Sequence, residues 1–77
     1  MTVEKFKKIV DEHDDIMMHC GKFKFTIMTC FDQLLICEQN TENERYYDTV
    51  EDMIGKYMIG KDPLRERLSE VVLDSCA

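Results

Sequence analysis

Residues 22–39 read KFKFTIMTCFDQLLICEQ, and the fold follows from how this stretch alternates. Phe23, Phe25, Ile27, Thr29 and Phe31 fall on one side of an extended chain. Lys22, Lys24, Thr26, Met28 and Cys30 fall on the other. Period two with aromatic and β-branched residues predicts a strand over 22–31. Asp32-Gln33 is the expected turn, although it lacks the glycine of a strong hairpin signal. Leu34–Gln39 is then the returning strand, with Phe31 opposite Leu34, Cys30 opposite Leu35 and Met28 opposite Cys37. In this register both faces near the turn are apolar: Phe31, Leu34 and Ile36 on one, Met28, Cys30, Leu35 and Cys37 on the other. An antiparallel sheet with one wet face should be polar on that face. The second face therefore calls for a cover, from this chain's helices or from another molecule.

Outward from the hairpin, the preceding segment reads as a helix. Val3, Phe6, Ile9, Val10, His13, Ile16 and Met17 recur at spacings of three and four, which is one apolar face. Thr2 is the expected N-cap. Lys5, Lys7 and Lys8 come early and Asp11, Glu12, Asp14 and Asp15 late, an order that opposes the helix dipole. Packing must hold this helix, and its last turn is expected to fray after Asp14. Beyond the hairpin, 40–44 is a polar loop, and Arg45-Tyr46-Tyr47 suits a short third strand. Asp48 with Glu51 three residues on reads as a capping box for a second helix striped by Val50, Met53, Ile54, Tyr57 and Met58. Gly55 inside it suggests close backbone packing, and Gly60 a stop. Asp62-Pro63 opens a third helix with Leu64, Leu68, Val71 and Val72 inward, leaving 74–77 as a frayed tail. The expected fold is α+β, in the order α-β-β-(β)-α-α, as one domain over 1–77.

The chain has 77 residues and a net charge of −6. A domain this small buries roughly 60% of its unfolded surface and has a thin stability margin; disulfides, metals or partners commonly supplement it. Its four cysteines, Cys20, Cys30, Cys37 and Cys76, are expected to be free thiols. Cys30 and Cys37 would be diagonal neighbours roughly 7–8 Å apart, too far for easy bridging. The charged start MTVEKFKK lacks an export core, and no apolar run approaches the ~20 residues of a membrane span. A cytoplasmic location without membrane contact is therefore the expectation.

Charge is unevenly distributed. Residues 32–52 hold Asp32, Glu38, Glu42, Glu44, Asp48, Glu51 and Asp52 against Arg45 alone, while the flanking segments balance. Such a segment repels phosphate backbones, so direct nucleic-acid binding is not expected. The same carboxylates could meet a basic protein, gaining steered association, with Tyr46 and Tyr47 as anchors. Six methionines are a high count for this length; Met fills cores and lines adaptable surfaces. Met18 and Met28 are the candidates for a partner-binding patch. The partner-binding set is thus Glu38, Glu42, Glu44, Tyr46, Tyr47, Asp48, Glu51, Asp52, Met18 and Met28.

No pattern carries catalysis. His13, His19 and the cysteines show neither C-x-x-C nor H-x-x-x-H spacing. Glycine loops that cradle phosphate and nucleophile elbows are missing. No cofactor, metal or catalytic residue is expected, and the chain reads as a non-enzyme. In size, acidity and element order it is similar to accessory proteins of phages and mobile elements, including inhibitors of nucleic-acid-guided nucleases. That resemblance implies a basic nucleic-acid-handling protein as partner. Two readings result: an interaction module that self-associates as a homodimer, and an acidic inhibitor that competes with nucleic acid for a basic protein.

Overall fold

A computed structural model describes residues 1–77. It is a small α+β domain whose five-stranded antiparallel sheet is covered by helices on one face only. Helix α1 (Val3–Glu12) leads into β1 (Asp15–Cys20), β2 (Phe23–Cys30), β3 (Gln33–Glu38) and β4 (Glu44–Tyr47). Helix α2 (Val50–Lys56) follows, then a two-stranded ribbon, β5 (Met58–Ile59) and β6 (Asp62–Pro63). A four-residue helix α3 (Leu64–Arg67) and one 3-10 turn (Leu68–Glu70) return the chain to β7 (Val71–Cys76). The sheet order is β4-β3-β2-β1-β7. Its core is a cluster of 16 residues: Phe6 and Val10 from α1, Val50, Met53 and Ile54 from α2, and Tyr57, Ile59, Leu64 and Leu68 lie over Ile16, Met18, Cys20, Phe25, Ile27, Ile36 and Val71 of the sheet.

The first helix stops earlier than its stripe suggests. Thr2 caps it as expected, its hydroxyl accepting from the Lys5 N–H at 3.1 Å. It ends at Glu12, and His13 is already extended. Ile16 and Met17 belong instead to β1, where Ile16, Met18 and Cys20 point inward and Asp15, Met17 and His19 outward. The two patterns compete at Ile16. Alternation wins because carboxylates at the helix C-terminus oppose the dipole, while an extended chain can pair with β2 on one side and β7 on the other.

The hairpin forms with its turn one residue earlier than expected. Phe31 and Asp32, at φ of 49° and 65°, are the two turn residues. Cys30 therefore pairs with Gln33, Met28 with Leu35, and Thr26 with Cys37. Positive φ at both positions is the type I′ geometry that suits the strands' twist. Moving a two-residue turn by one position slides the register by two, so each side chain keeps its face. The faces read from the sequence survive, except that Phe31 leaves the sheet for the tip.

The C-terminal third differs most. Thr49 rather than Asp48 caps α2, its hydroxyl accepting from the Asp52 N–H at 3.1 Å. Tyr57 ends the helix and Met58 is exposed in β5. Gly60, at φ 65°, lies in the β5–β6 turn instead of a helix stop. A Cβ on Gly55 would meet nothing within 4 Å, so close packing does not explain that glycine. Asp62 and Pro63 are a strand; Pro63 occupies the N-cap position of α3 without a side-chain cap. Val71 and Val72 are not a helical stripe. They open β7, with Val71 buried and Val72 outward, as β-branched residues favour. Residues 74–77 are not frayed: Ala77 exchanges backbone hydrogen bonds with Asp14 and Asp15 at 3.1 and 2.9 Å. All four cysteines are free thiols. No helix is long and apolar enough to cross a membrane.

Candidate functional site: an open sheet face between two charged ends

Strand registers place one row across the uncovered face. Tyr46 pairs with Leu35, Leu35 with Met28, and Met28 with Asp15. The next row runs Glu44, Cys37, Thr26, Met17 and Ser75. Beyond it lie Lys24, His19 and Val72. Met28 is 40% exposed, Met17 41% and Tyr46 50%, with Leu35 and Cys37 half-buried. No helix of the chain covers this face. An apolar band of Tyr46, Leu35, Met28, Cys37 and Met17 is therefore open to solvent, with Lys24 at one end of the face and Asp15 at the other.

On that face a bulge between β1 and β7 leaves Asp74 unpaired in the ladder, because Met17 pairs with Ser75 and Met18 with Leu73. Bulges re-aim side chains. Here Asp74 turns to His19, whose Nδ1–H donates to both carboxylate oxygens at 2.7 and 2.9 Å. The pair lines neither of the molecule's two cavities, and no group of three His, Cys, Asp or Glu side chains is placed to hold a metal.

Charges separate by topology. The end of α1, the start of β1, the β2–β3 turn, the end of β4 and the start of α2 all meet at one end of the sheet. That end collects Asp11, Glu12, Asp14, Asp15, Asp32, Asp48, Glu51 and Asp52. Lys7 reaches into it to pair with Glu51 at 2.9 Å; the contact holds the Glu51 carboxyl below its ordinary range and the Lys7 ammonium above it. Asp48 accepts from the Gln33 side chain at 3.0 Å. A cavity of about 300 Å³ lies among Lys7, Asp11, Asp32, Asp48 and Glu51.

Opposite the tip is a second cleft, of about 320 Å³, lined by Phe23, Glu38, Asn43, Arg45, Tyr47, Lys56, Tyr57 and Met58. Phe23, Phe25 and Tyr57 form an aromatic cluster with ring centroids 6.0–6.4 Å apart, the offset geometry that such rings prefer. Burial pushes the Tyr57 phenol up to about 12 and raises that of Tyr47.

The ten expected partner-binding residues are thus divided. Met18 is 0% exposed, packed in the core, and cannot be a surface contact. Met28, Glu44 and Tyr46 share the open face; the Tyr46 hydroxyl donates to Glu44 at 3.3 Å, whose charge raises the phenol's pKa. Glu38 and Tyr47 line the aromatic cleft, and Glu42 lies in the exposed loop beside it. Asp48, Glu51 and Asp52 belong to the acidic end. The acidic segment 32–52 is therefore not one surface: β3 carries its middle, Glu38 to Glu44, away from the tip, and β4 returns Asp48, Glu51 and Asp52 to the end that holds Asp32. Sequence reasoning missed Asp11, Glu12, Asp14 and Asp15 as part of the acidic end, since their segment is neutral as a whole. It also missed that Tyr46 and Met17 join Leu35, Met28 and Cys37 on one face, which only the pairing of four strands brings together.

A scan against protein-family models, a search of curated proteins and a search of solved structures each returned no match.

Proposed function

We propose that this chain is a non-enzymatic protein-interaction domain that acts through the open face of its sheet and associates there with a second copy of itself. The observation that carries this reading is the apolar band Tyr46–Leu35–Met28 with Met17 and Cys37, left uncovered by every helix. Contiguous exposed apolar surface on a small domain marks an interaction site. A second copy suits the face because its two ends carry opposite charges, Lys24 and Asp15; a two-fold axis across the strands brings one toward the other. Five strands about 4.8 Å apart and six residues long make a plane of roughly 500 Å². That lies below the roughly 800 Å² per partner of a standard interface, so the dimer is a weak one. Its association adds the stability that a short chain lacks. The His19–Asp74 pair, outside both cavities, is read as a strut across the bulge rather than chemistry.

Sedimentation velocity across a micromolar concentration series tests this. The wild type should shift from monomer toward dimer, with a melting temperature that rises with concentration, and Met28→Lys with Leu35→Lys should weaken both the association and that rise. A wild type that stays monomeric throughout would refute self-association.

The gathering of eight carboxylates at one end favours a second reading, an acidic ligand of a basic nucleic-acid-handling protein. Complementary fields speed such encounters and fade with salt. Capture of such a partner should then weaken steeply between low and high salt, and reversal of Asp32, Asp48 and Asp52 to Lys should abolish it. Salt-insensitive capture would count against this alternative.

A further inference from the structure

Two features at opposite ends of the molecule are complementary. At the tip of the β2–β3 hairpin, Phe31 is 95% exposed and sits at φ 49°. A bulky residue in the left-handed region is a conformational outlier, and type I′ turns normally take Asn or Gly there. The ring adds nothing to the core cluster. It costs backbone strain and exposes apolar surface, and the fold gains no contact from it. Asp32 follows it at φ 65°, so the tip presents an aromatic ring with a carboxylate beside it, within the acidic end of the molecule.

The cleft at the other end has the opposite character. Phe23, Tyr47 and Tyr57 give it aromatic walls. Arg45 makes no ion pair; its guanidinium donates only to the Glu44 carbonyl, at 2.8 Å. Lys56 reaches Asp52 only at 4.0 Å. By contrast Lys7 and Arg67 each have a carboxylate within 3 Å. Glu38 also lines the cleft, so its lining holds two cations and one carboxylate in a chain of net charge −6. At about 320 Å³ it lies at the small end of ligand-sized cavities, roughly 300–1,000 Å³.

We infer that the hairpin tip of one copy seats in the cleft of another, the Phe31 ring against the aromatic walls and the Asp32 carboxylate toward Arg45 and Lys56. This rests on the self-association reading above but uses a different surface. Tip and cleft are different patches, so the contact is heterologous. Each copy keeps one free tip or cleft, and association can continue beyond a dimer. Asp32 and the carboxylates around the tip are attracted to Arg45 and Lys56.

Sedimentation velocity on the full chain tests the inference with four proteins: wild type, Phe31→Gly, Arg45→Gln with Lys56→Gln, and the face variant Met28→Lys with Leu35→Lys. Phe31→Gly should melt higher than wild type at low concentration, because glycine holds positive φ without strain, and yet lose every assembly larger than the face-to-face dimer. Phe31→Asn serves as a second tip variant for the same purpose. The cleft variant should likewise stop at the face-to-face dimer. With the open face blocked by Met28→Lys and Leu35→Lys in both, the tip and cleft variants should each be monomeric and their equimolar mixture should associate as dimers and nothing larger, since one supplies the only cleft and the other the only tip. The inference is overturned if tip variants associate like wild type, or if the mixture stays monomeric. Loss of association in the face variant alone would leave the open-face reading standing and remove this one. Loss in the tip and cleft variants alone would do the reverse. A monomeric wild type would remove both.

Discussion

Gly55 is a residue whose side chain the fold does not need to be missing. It sits inside α2, where a Cβ would meet no atom within 4 Å. Gly55→Ala should therefore stabilise the protein by about 0.5–1 kcal/mol, through helix propensity and a less flexible unfolded chain, seen as a higher urea midpoint with an unchanged slope. Tyr57 makes the second prediction at this scale. Its phenol ionises near its ordinary value of about 10 in the unfolded chain and at about 12 in the fold. Between those values the unfolded chain holds fewer protons, so stability falls as pH rises through that window. Urea melts on the alkaline side of about pH 10 should show the loss, and Tyr57→Phe should flatten it. Some residues are legible in the sequence: Thr2 as a cap, Phe6 and Val10 as core, Met28 and Tyr46 as surface. Met18 is not. Its role depends on whether its segment is helix or strand, and composition does not decide that.

Elements were legible where one periodicity stood alone. The hairpin strands carried an uncontested alternation and kept their faces even though the turn moved. Two segments carried both periods. In 13–20, helical spacing of His13, Ile16 and Met17 overlapped the alternation of Ile16, Met18 and Cys20. In 64–73, Leu64 and Leu68 continued into Val71 and Val72 at helical spacing. In both, the strand formed because a neighbouring strand offered a complete ladder, β7 for β1 and β1 for β7. Neither ladder can be read from its own segment, so the two omissions were one omission. The capping of α2 is testable at this scale. Thr49→Ala should cost about 1 kcal/mol, while Asp48→Ala should cost much less, since Asp48 only accepts from the exposed Gln33 side chain. Equal losses would return the cap to Asp48. Deleting 71–77 should abolish cooperative unfolding, because it strips a strand and uncovers Met18 and Cys20.

At the scale of the whole molecule, sequence order and spatial order of charge part company. The net charge was visible in one segment, but the acidic end is assembled from α1, β1, the hairpin tip and α2. Eight carboxylates held at one end repel one another, and salt screens such repulsion over a Debye length of about 10 Å at 0.1 M. The melting temperature should therefore rise with added sodium chloride, and Asp14→Asn with Asp15→Asn should raise it at low salt and reduce its salt dependence. A melting temperature that falls with salt would mean that the Lys7–Glu51 and Arg67–Glu70 pairs outweigh the crowding. The open face, in contrast, is half legible in the hairpin: its second apolar side calls for a cover, and the chain's helices leave that side bare.

The β1–β7 ladder also sets the pace at which this protein can assemble. It joins Cys20 to Val71 and Ile16 to Cys76, partners separated by most of the chain. Closing so long a loop costs entropy before any contact repays it, and folding slows as mean contact separation rises. The meander of β1 to β4 is built from near neighbours and is the faster part to form. Refolding should accordingly be limited by the arrival of the last strand, and substitutions at Val71 should slow it more than substitutions within the β2–β3 hairpin do.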